Sequence, residues 1–322
     1  MQIGPYSLVN PVILAPMAGV ADAAFRGICL ECGAGIAVGE MVQSDPLLRG
    51  TAESERRFRA SDAEAIPVVQ LLGSDPQAMA DAARHAVRCG AKIVDINFGC
   101  PARIVCGKAC GSFLMADTAL AERIMAAVYE AVSVPVTVKM RLGWDKAHQT
   151  VFELARAAQD IGLAAVTVHG RTRQARFTGP VDYEAIGRLA ASLSIPVIAN
   201  GDIDSAQKAV RVLRETGAGA VMIGRAALGA PWIFTETADA LAARPITRLS
   251  AKARRDIVLR HFDEHMRQAQ GSRKKAVFSF RKHVVRYLLP LPQGKEKVRR
   301  ILAEQDEGVV RELLSEFLGQ AQ

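Results

Sequence analysis

The chain of 322 residues contains no uninterrupted apolar run of about 18 residues, which excludes a membrane-spanning helix from its plan. It does not open on the charged, apolar and small-residue succession of an export leader, so a cytoplasmic location is expected. Cysteine is sparse: in the cytoplasm Cys29, Cys32, Cys89, Cys100, Cys106 and Cys110 are expected as reduced thiols and not as a disulfide framework. Cys29-x-x-Cys32 and the group Cys100, Cys106 and Cys110 invite a redox or metal reading. No second CxxC and no His pair complete a zinc set, and Cys29 and Cys32 fall inside a helix-like stretch, Phe25 to Cys32, so no metal is expected. A glycine fingerprint after the first strand-like run is also missing, which argues against a doubly wound dinucleotide fold. Gly217-Ala218-Gly219-Ala220 precedes a strand instead of opening a helix and reads as a turn.

What is present is a chain half apolar by count, long enough to bury a large core, with a net charge of +8. The charge is unevenly placed. Residues 244–322 hold 18 Lys and Arg against 9 Asp and Glu, while residues 1–243 hold 23 against 24, so the whole positive excess lies in the tail. That asymmetry points to a polyanionic partner, with a solvated helical face as the alternative. The boundary falls near Ala243-Arg244-Pro245. A monomer is expected.

Before that boundary the sequence repeats short apolar runs separated by helix-like segments. The runs are Pro11 to Pro16, Gly35 to Met41, Ile66 to Leu72, Ile93 to Phe98, Pro135 to Met140, Ala164 to His169, Ile195 to Asn200 and Ala220 to Ile223. Near-continuous Val, Ile and Ala runs suit parallel strands buried on both faces, and segments such as Pro76 to Cys89 and Thr150 to Ile161 are long enough for crossover helices. Eight such units in residues 1–243 predict a TIM (β/α)8 barrel of the α/β class. The tail predicts a small all-helical domain, residues 244–322, from Asp256 to Gln268, Val277 to Leu289 and Glu296 to Gln305. In the second of these, Arg281, Lys282 and Arg286 share one side, opposite an apolar stripe of Val277, Phe280, Val284 and Leu288.

Barrel enzymes work at the carboxyl ends of their strands. The runs here close on Met17, Glu40, Gln70, Asn97 with Cys100, Lys139 with Arg141, His169 with Arg171, Asn200-Gly201-Asp202 and Gly224-Arg225. One polar closure could be structural; an array of them is hard to explain that way. Cys100 follows a strand and a glycine turn, a place that faces a cleft. An unperturbed thiol, with a pKa of about 8.5, is roughly 97% protonated at neutral pH and can serve as a general acid. The alternative is a small buried hydrophobe. The last two loops, Asn200-Gly201-Asp202-Ile203 and Gly224-Arg225-Ala226-Ala227, sit where barrels commonly bind phosphate through backbone N–H groups, with Arg225 adding a charge-assisted contact.

Five ordered motifs now coincide: Ala15-Pro16-Met17-Ala18-Gly19-Val20, Asp95-Ile96-Asn97-Phe98-Gly99-Cys100-Pro101, His169-Gly170-Arg171-Thr172-Arg173, Ala199-Asn200-Gly201-Asp202-Ile203 and Ile223-Gly224-Arg225-Ala226-Ala227. Together they resemble the flavin-dependent tRNA-dihydrouridine synthases, most nearly the bacterial B-type branch, over almost the whole chain. Arg281-Lys282-His283-Val284-Val285-Arg286-Tyr287-Leu288 resembles the helical tRNA-binding domain of that family. Phe98 stands where Met or Val is commoner, and Cys106 and Cys110 occupy a loop that varies among relatives.

The resemblance implies FMN as cofactor, NADPH or NADH as transient reductant, and tRNA as partner. It implies that Pro16, Met17 and Ala18 line the flavin, that Gln70 and Lys139 contact its ring, and that Asn200, Gly201, Asp202, Gly224 and Arg225 hold its phosphate. His169 would join the flavin's inner shell. Asn97, Arg171 and Arg141 would address the uracil, Arg281, Lys282 and Arg286 the tRNA, and Cys100 would protonate C5 after hydride reaches C6 of a D-loop uridine. Rival readings are another flavin barrel reducing a small enone, a Schiff-base aldolase using Lys139, and a non-enzymatic RNA-binding protein.

Overall fold

The computed structural model describes residues 1–45, 47, 51–102, 110–269 and 271–319. A short antiparallel hairpin, β1 (Gln2–Ile3) and β2 (Tyr6–Ser7), opens the chain and turns at Gly4, whose φ of +55° favours glycine. There follow β3 (Val12–Leu14), β4 (Ile36–Ala37), β5 (Val42–Gln43), β6 (Val68–Leu72), β7 (Ile93–Phe98), β8 (Val136–Arg141), β9 (Ala165–His169), β10 (Val197–Asn200) and β11 (Ala220–Ile223), all parallel. The order closes on itself. β11 pairs with β3 through Val221 and Val12, β3 with β4 through Ile13 and Ile36, a bridge joins Val38 to Val68, and β5 pairs with β6 through Val42 and Leu71. β4 and β5 are therefore two pieces of one stave, interrupted around Gly39, and the ring is the eight-stave barrel expected.

Helices α1 (Ala23–Glu31), α2 (Ala52–Phe58), α3 (Pro76–Arg88), α4 (Thr118–Ala131), α5 (Val151–Ile161), α6 (Tyr183–Ser192), α7 (Ala206–Thr216) and α8 (Ile233–Leu241) lie between or after the staves. Many begin at a side-chain cap that the sequence supplies. Asp22, Thr51, Asp75, Asp117, Asp182 and Ser205 each accept a backbone N–H of the first turn. Gly162 and Gly217 end α5 and α7 in the left-handed conformation, which confirms the turn read at Gly217.

Strand periodicity sorts the side chains. Alternate residues such as Val94, Ile96 and Phe98 face the helices and join the main apolar cluster. The others face the lumen, where Ile13, Ile36, Val38, Val68, Ile93, Ala165, Ile198 and Ala220 form an apolar floor closed from below by Ile3 and Leu8 beside the hairpin. That hairpin plug was not foreseen, because two-residue strands carry no periodic signal.

After α8 come α9 (Ala251–Gln268), α10 (Arg273–Leu288), α11 (Gly294–Ala303) and α12 (Glu307–Gly319), which share an apolar cluster of their own. Val277, Phe280, Val284 and Leu288 are all buried in it, as the stripe predicts. α12 was not anticipated.

The tail helices meet the barrel at α1. Phe25 is fully buried, its ring centroid 5.3 Å from that of His261 and 5.2 Å from that of His283. Asp22, the cap of α1, lies 3.2 Å from Nδ1 of His265, whose Nε2 meets the Ser279 hydroxyl at 2.8 Å; Nδ1 of His261 meets the Tyr287 hydroxyl at 2.9 Å. Gly229, at φ +83°, brings the barrel backbone so near α10 that an added Cβ would lie 2.3 Å from the Arg286 carbonyl oxygen. Arg260 with Glu31 and Arg267 with Asp62 pair across the same seam.

Burial pushes the His261 imidazole down to about 3, against the pull of the Asp22 carboxylate, and burial beside His261 holds His283 well below its ordinary value. Both rings stay neutral in the folded chain where the unfolded chain charges them, below about pH 6.5. Their contribution to stability is complete above that pH and is lost as the pH falls toward 3, because the unfolded chain then binds protons that the folded chain refuses. Urea unfolding midpoints should fall between pH 7.5 and 5.0, and His283→Leu should narrow that fall. An undiminished fall in the variant would remove His283 from the cause.

Candidate active site

At the carboxyl end of the barrel the lumen turns polar and opens into a cavity of about 740 Å³, within the usual range for small-molecule sites. The same period-two alternation that builds the apolar floor delivers Gln70, Asp95, Asn97, Thr137, Lys139, Arg141, Thr167, His169 and Asn200 to the upper lumen. Of the residues singled out in the barrel sequence, Pro16, Met17, Ala18, Gln70, Asn97, Cys100, Lys139, Arg141, His169, Asn200, Gly201, Asp202, Gly224 and Arg225 all line this cavity.

The thiol turn is held from below by a chain of hydrogen bonds. Thr137 donates to Asp95 at 2.6 Å and Gln70 Nε2 donates to Asp95 at 2.7 Å. The Asn97 amide in turn donates to Gln70 Oε1 at 2.8 Å, and Asn97 Oδ1 accepts the N–H groups of Gly99 and Cys100 at 3.0 and 2.9 Å. From the other side the Ser112 hydroxyl donates to the Cys100 carbonyl at 2.9 Å. Asp95 is the foundation of this chain, and burial raises its pKa despite the two bonds it accepts. Cys100 is part-exposed and packs with Met41 against Leu72 and the buried Cys110. Cys106 lies outside the described residues.

Two basic groups occupy the lumen beside the turn. Burial lowers Lys139 to about 8, helped by Arg141 and opposed by Asp95. Burial likewise lowers His169 to about 2, with Lys139, Arg141 and Arg171 adding to the effect, so this imidazole is neutral at any ordinary pH. Its Nδ1 is buried and makes no hydrogen bond to any described residue.

The opposite wall is built from the loops after β10 and β11. Gly201 has φ +128°, and an added Cβ would lie 2.9 Å from Val181. Asn200 is tied by its amide to the Met222 carbonyl at 2.8 Å, and the Tyr183 hydroxyl donates to the Gly201 carbonyl at 2.5 Å. The segment Arg225–Ala227 forms a single 3-10 turn beyond Gly224. Asp202, with φ +44°, turns its carboxylate to Arg171 and to Arg225, the latter at 2.6 Å.

Three expectations change in detail. Arg171 does not line the cavity: its guanidinium is buried, bonded to the Asp202 carboxylate and the Gly179 carbonyl, because a buried guanidinium needs acceptors that this loop supplies. Arg141 reaches the cavity, but it is nearly fully buried and donates to the carbonyls of Gly99, Thr172 and Arg176. Asn97 likewise spends its oxygen on the thiol turn. Arg281 and Lys282 lie away from the cavity, whereas Arg286 forms part of its wall. Lumen residues given no role from the sequence are Asp95 and Thr137, findable as alternate positions on β7 and β8, and Met41, which ends its apolar run, together with Phe177 and Lys208, whose loop and helix positions give no such signal.

Away from the cavity, Glu55, His85 and Cys89 place their ligand atoms within 4.8 Å of one another, although no metal was expected. No helix among the described residues is long and apolar enough to cross a membrane.

Residues 13–320 match the dihydrouridine synthase family. The chain is 50% identical over 298 residues to the tRNA-dihydrouridine synthase B of Xanthomonas axonopodis pv. citri, covering 92% of this chain and 89% of the relative. It is 45% identical over 303 residues to the protein of the same name from Pseudomonas aeruginosa, with the same two coverages. Among solved structures, morphinone reductase in complex with tetrahydroNAD superposes with a TM-score of 0.56 at 16% identity, over 79% of this chain and 92% of that one. Histamine dehydrogenase from Rhizobium sp. 4-9 superposes with a TM-score of 0.58 at 15% identity, over 82% and 50%. These structural likenesses concern the barrel fold.

The Lys139 shift predicts an alkaline signature. In the ligand-free protein its burial cost is felt in full below pH 8 and is relieved as the pH climbs from about 8 toward 10.5, where the folded state has lost a proton that the unfolded chain keeps. Unfolding midpoints at pH 7.5 and 9.5 should therefore show a gain for the ligand-free wild type that Lys139→Met lacks. Equal gains in both proteins would contradict the shift.

Proposed function

The chain belongs to the dihydrouridine synthase family, and on that premise we propose that it reduces the C5–C6 double bond of a D-loop uridine in tRNA, using FMN with NADPH as reductant. The observation that carries this reading is the convergence of the Cys100 turn, Lys139 and the Gly201 and Gly224 loops on one cavity.

The residues fit a flavin. Nδ1 of His169 is a buried polar atom with no partner among the described residues, and a polar atom of a ligand in the cavity would supply one. Gly201 and Gly224 both line the cavity, where backbone without a side chain can approach a ligand closely. Because the Asp202 carboxylate is drawn off by Arg171 and Arg225, the phosphate would be held by backbone N–H groups of the two loops and by Arg225. Pro16, Met17, Ala18, Gln70, Lys139 and His169 would surround the ring. When bound, FMN supplies the hydride for C6 of the uracil.

The protein's own part is orientation and proton control. Cys100 holds a proton on Sγ and gives it to C5, the carbon that becomes basic as C6 is reduced. The chain from Asp95 through Gln70 and Asn97 fixes where that thiol stands. Lys139 places positive charge in the lumen, where it favours negative charge developing on a bound ring. Uridine in a stacked helix is inaccessible, so the base must leave its loop and enter the barrel mouth.

The division of labour follows the charge. Residues 1–243 would form the catalytic barrel and residues 244–322 the tRNA-binding part, with Arg286 touching both. Phe25 is fully buried against His261 and His283, so truncation at residue 244 would lay an apolar seam bare. Charge substitutions are the cleaner test.

Denatured protein should release FMN, and a protein without flavin even after reconstitution would defeat the proposal. Cys100→Ala should keep flavin and tRNA affinity while turnover of tRNA falls roughly 10²- to 10⁴-fold. If Cys110→Ala abolished turnover and Cys100→Ala did not, the acid has been misassigned. For tRNA affinity, neutralising about five phosphates gives a slope of log affinity against log salt of roughly −3.5 to −4.5. The triple change Lys275, Lys282 and Arg286 to Ala should flatten it by about two to three units. An unchanged slope would make the tail's charge a solubilising face.

A further inference from the structure

The outer face of α10 carries a side chain that neither the fold nor the proposed chemistry uses. Its 16 residues include six Arg or Lys and no acid. Burial divides them cleanly: Val277, Phe280, His283, Val284, Tyr287 and Leu288 are buried, while Lys274, Lys275, Phe278 and Arg286 are exposed and Arg281 and Lys282 half-buried. At 3.6 residues per turn these six lie along one side of the helix. Phe278 is the exception to its surroundings, a large apolar ring 66% exposed among cations. The guanidinium carbon of Arg281 lies 4.8 Å from its centroid, and Arg281 is itself fixed by a bond from Nη2 to the Glu304 carbonyl at 3.1 Å. A cation therefore backs the ring on one side. Arg286, two helical turns or about 12 Å farther along the axis, stands at the wall of the active-site cavity.

We propose that Phe278, backed by Arg281, is a stacking platform for an unpaired base of the tRNA, in the loop that delivers the target uridine to the cavity. This rests on the tRNA reading above. The charge around the ring selects the partner. A protein surface docking an exposed Phe would meet mostly apolar neighbours, whereas this ring is flanked by Lys274, Lys275 and Lys282, which attract a phosphate chain. A base offers a flat π face to such a ring whatever its identity. The guanidinium behind the ring adds a cation–π contact. Double-helical RNA exposes no such face, so the occupant is a loop base.

Three variants of the full-length flavin-loaded protein test this against one unmodified tRNA transcript: Phe278→Ala, Phe278→Leu and Phe278→Trp. Because Phe278 is exposed, thermal midpoints should match the wild type in all three. Stacking predicts that Ala and Leu each lose roughly 5- to 150-fold in affinity, that Trp retains it, and that the salt slope is the same in all, since no phosphate contact has been removed. Wild-type affinity in Phe278→Leu overturns the platform, because Leu keeps the apolar contact and lacks the ring. A flattened slope in Phe278→Ala overturns it too, since the loss would then be electrostatic. If the wild type binds the transcript no better than it binds a double-stranded RNA of equal length, the tRNA reading falls and the platform with it; a loss confined to the Phe278 variants leaves that reading standing.

Discussion

A single carboxylate at the waist of the barrel governs the site. Asp95 is buried where a charge is costly, and it is tolerated because Thr137 and Gln70 both donate to it and Lys139 stands one layer above. Gln70, oriented by that bond, presents its oxygen to Asn97, and Asn97 then spends its own oxygen on the N–H groups of the Cys100 turn. The position of the thiol is thus set through four side chains from a point deep in the lumen. Such a polar network is more specifying than an apolar lumen would be, because its donors and acceptors must be paired with one another.

The cations near the cavity divide into two kinds by the same principle. Arg141 and Arg171 are nearly fully buried, and their guanidinium groups brace loops by donating to carbonyls and to Asp202. Arg26 does the same at the far side, holding Glu64 and two carbonyls. Arginine suits such posts because its rigid fork meets several acceptors at once and stays charged when buried. Lys139 is the opposite case. It reaches the lumen with a depressed pKa, and its charge is available for whatever the cavity holds.

Barrel and tail are joined by chemistry as much as by shape. Phe25, His261 and His283 are fully buried together in one seam, Asp22 caps α1 while pairing with His265 of α9, and the Gly229 backbone lies against α10. The consequence is geometric: α10 presents Arg286 to the cavity wall and the rest of its basic side away from it.

The eight staves, the crossover helices and the polar closures of the strands could be read directly from the sequence, because buried parallel strands write themselves as apolar runs and the site of a barrel lies where those runs end. The family could be read too, from five motifs in order. The apolar stripe of α10 was equally plain. Tertiary structure alone decided the rest. Which arginine faces a ligand depends on where acceptors lie after folding, and Arg171 found Asp202 and Gly179, residues 31 and 8 positions away in the chain. The role of Asp95 depended on Gln70 and Thr137, brought beside it by strand pairing across 25 and 42 residues. The neutral histidines of the seam and the exposed Phe278 follow from burial, a property of the packed chain that local pattern does not contain.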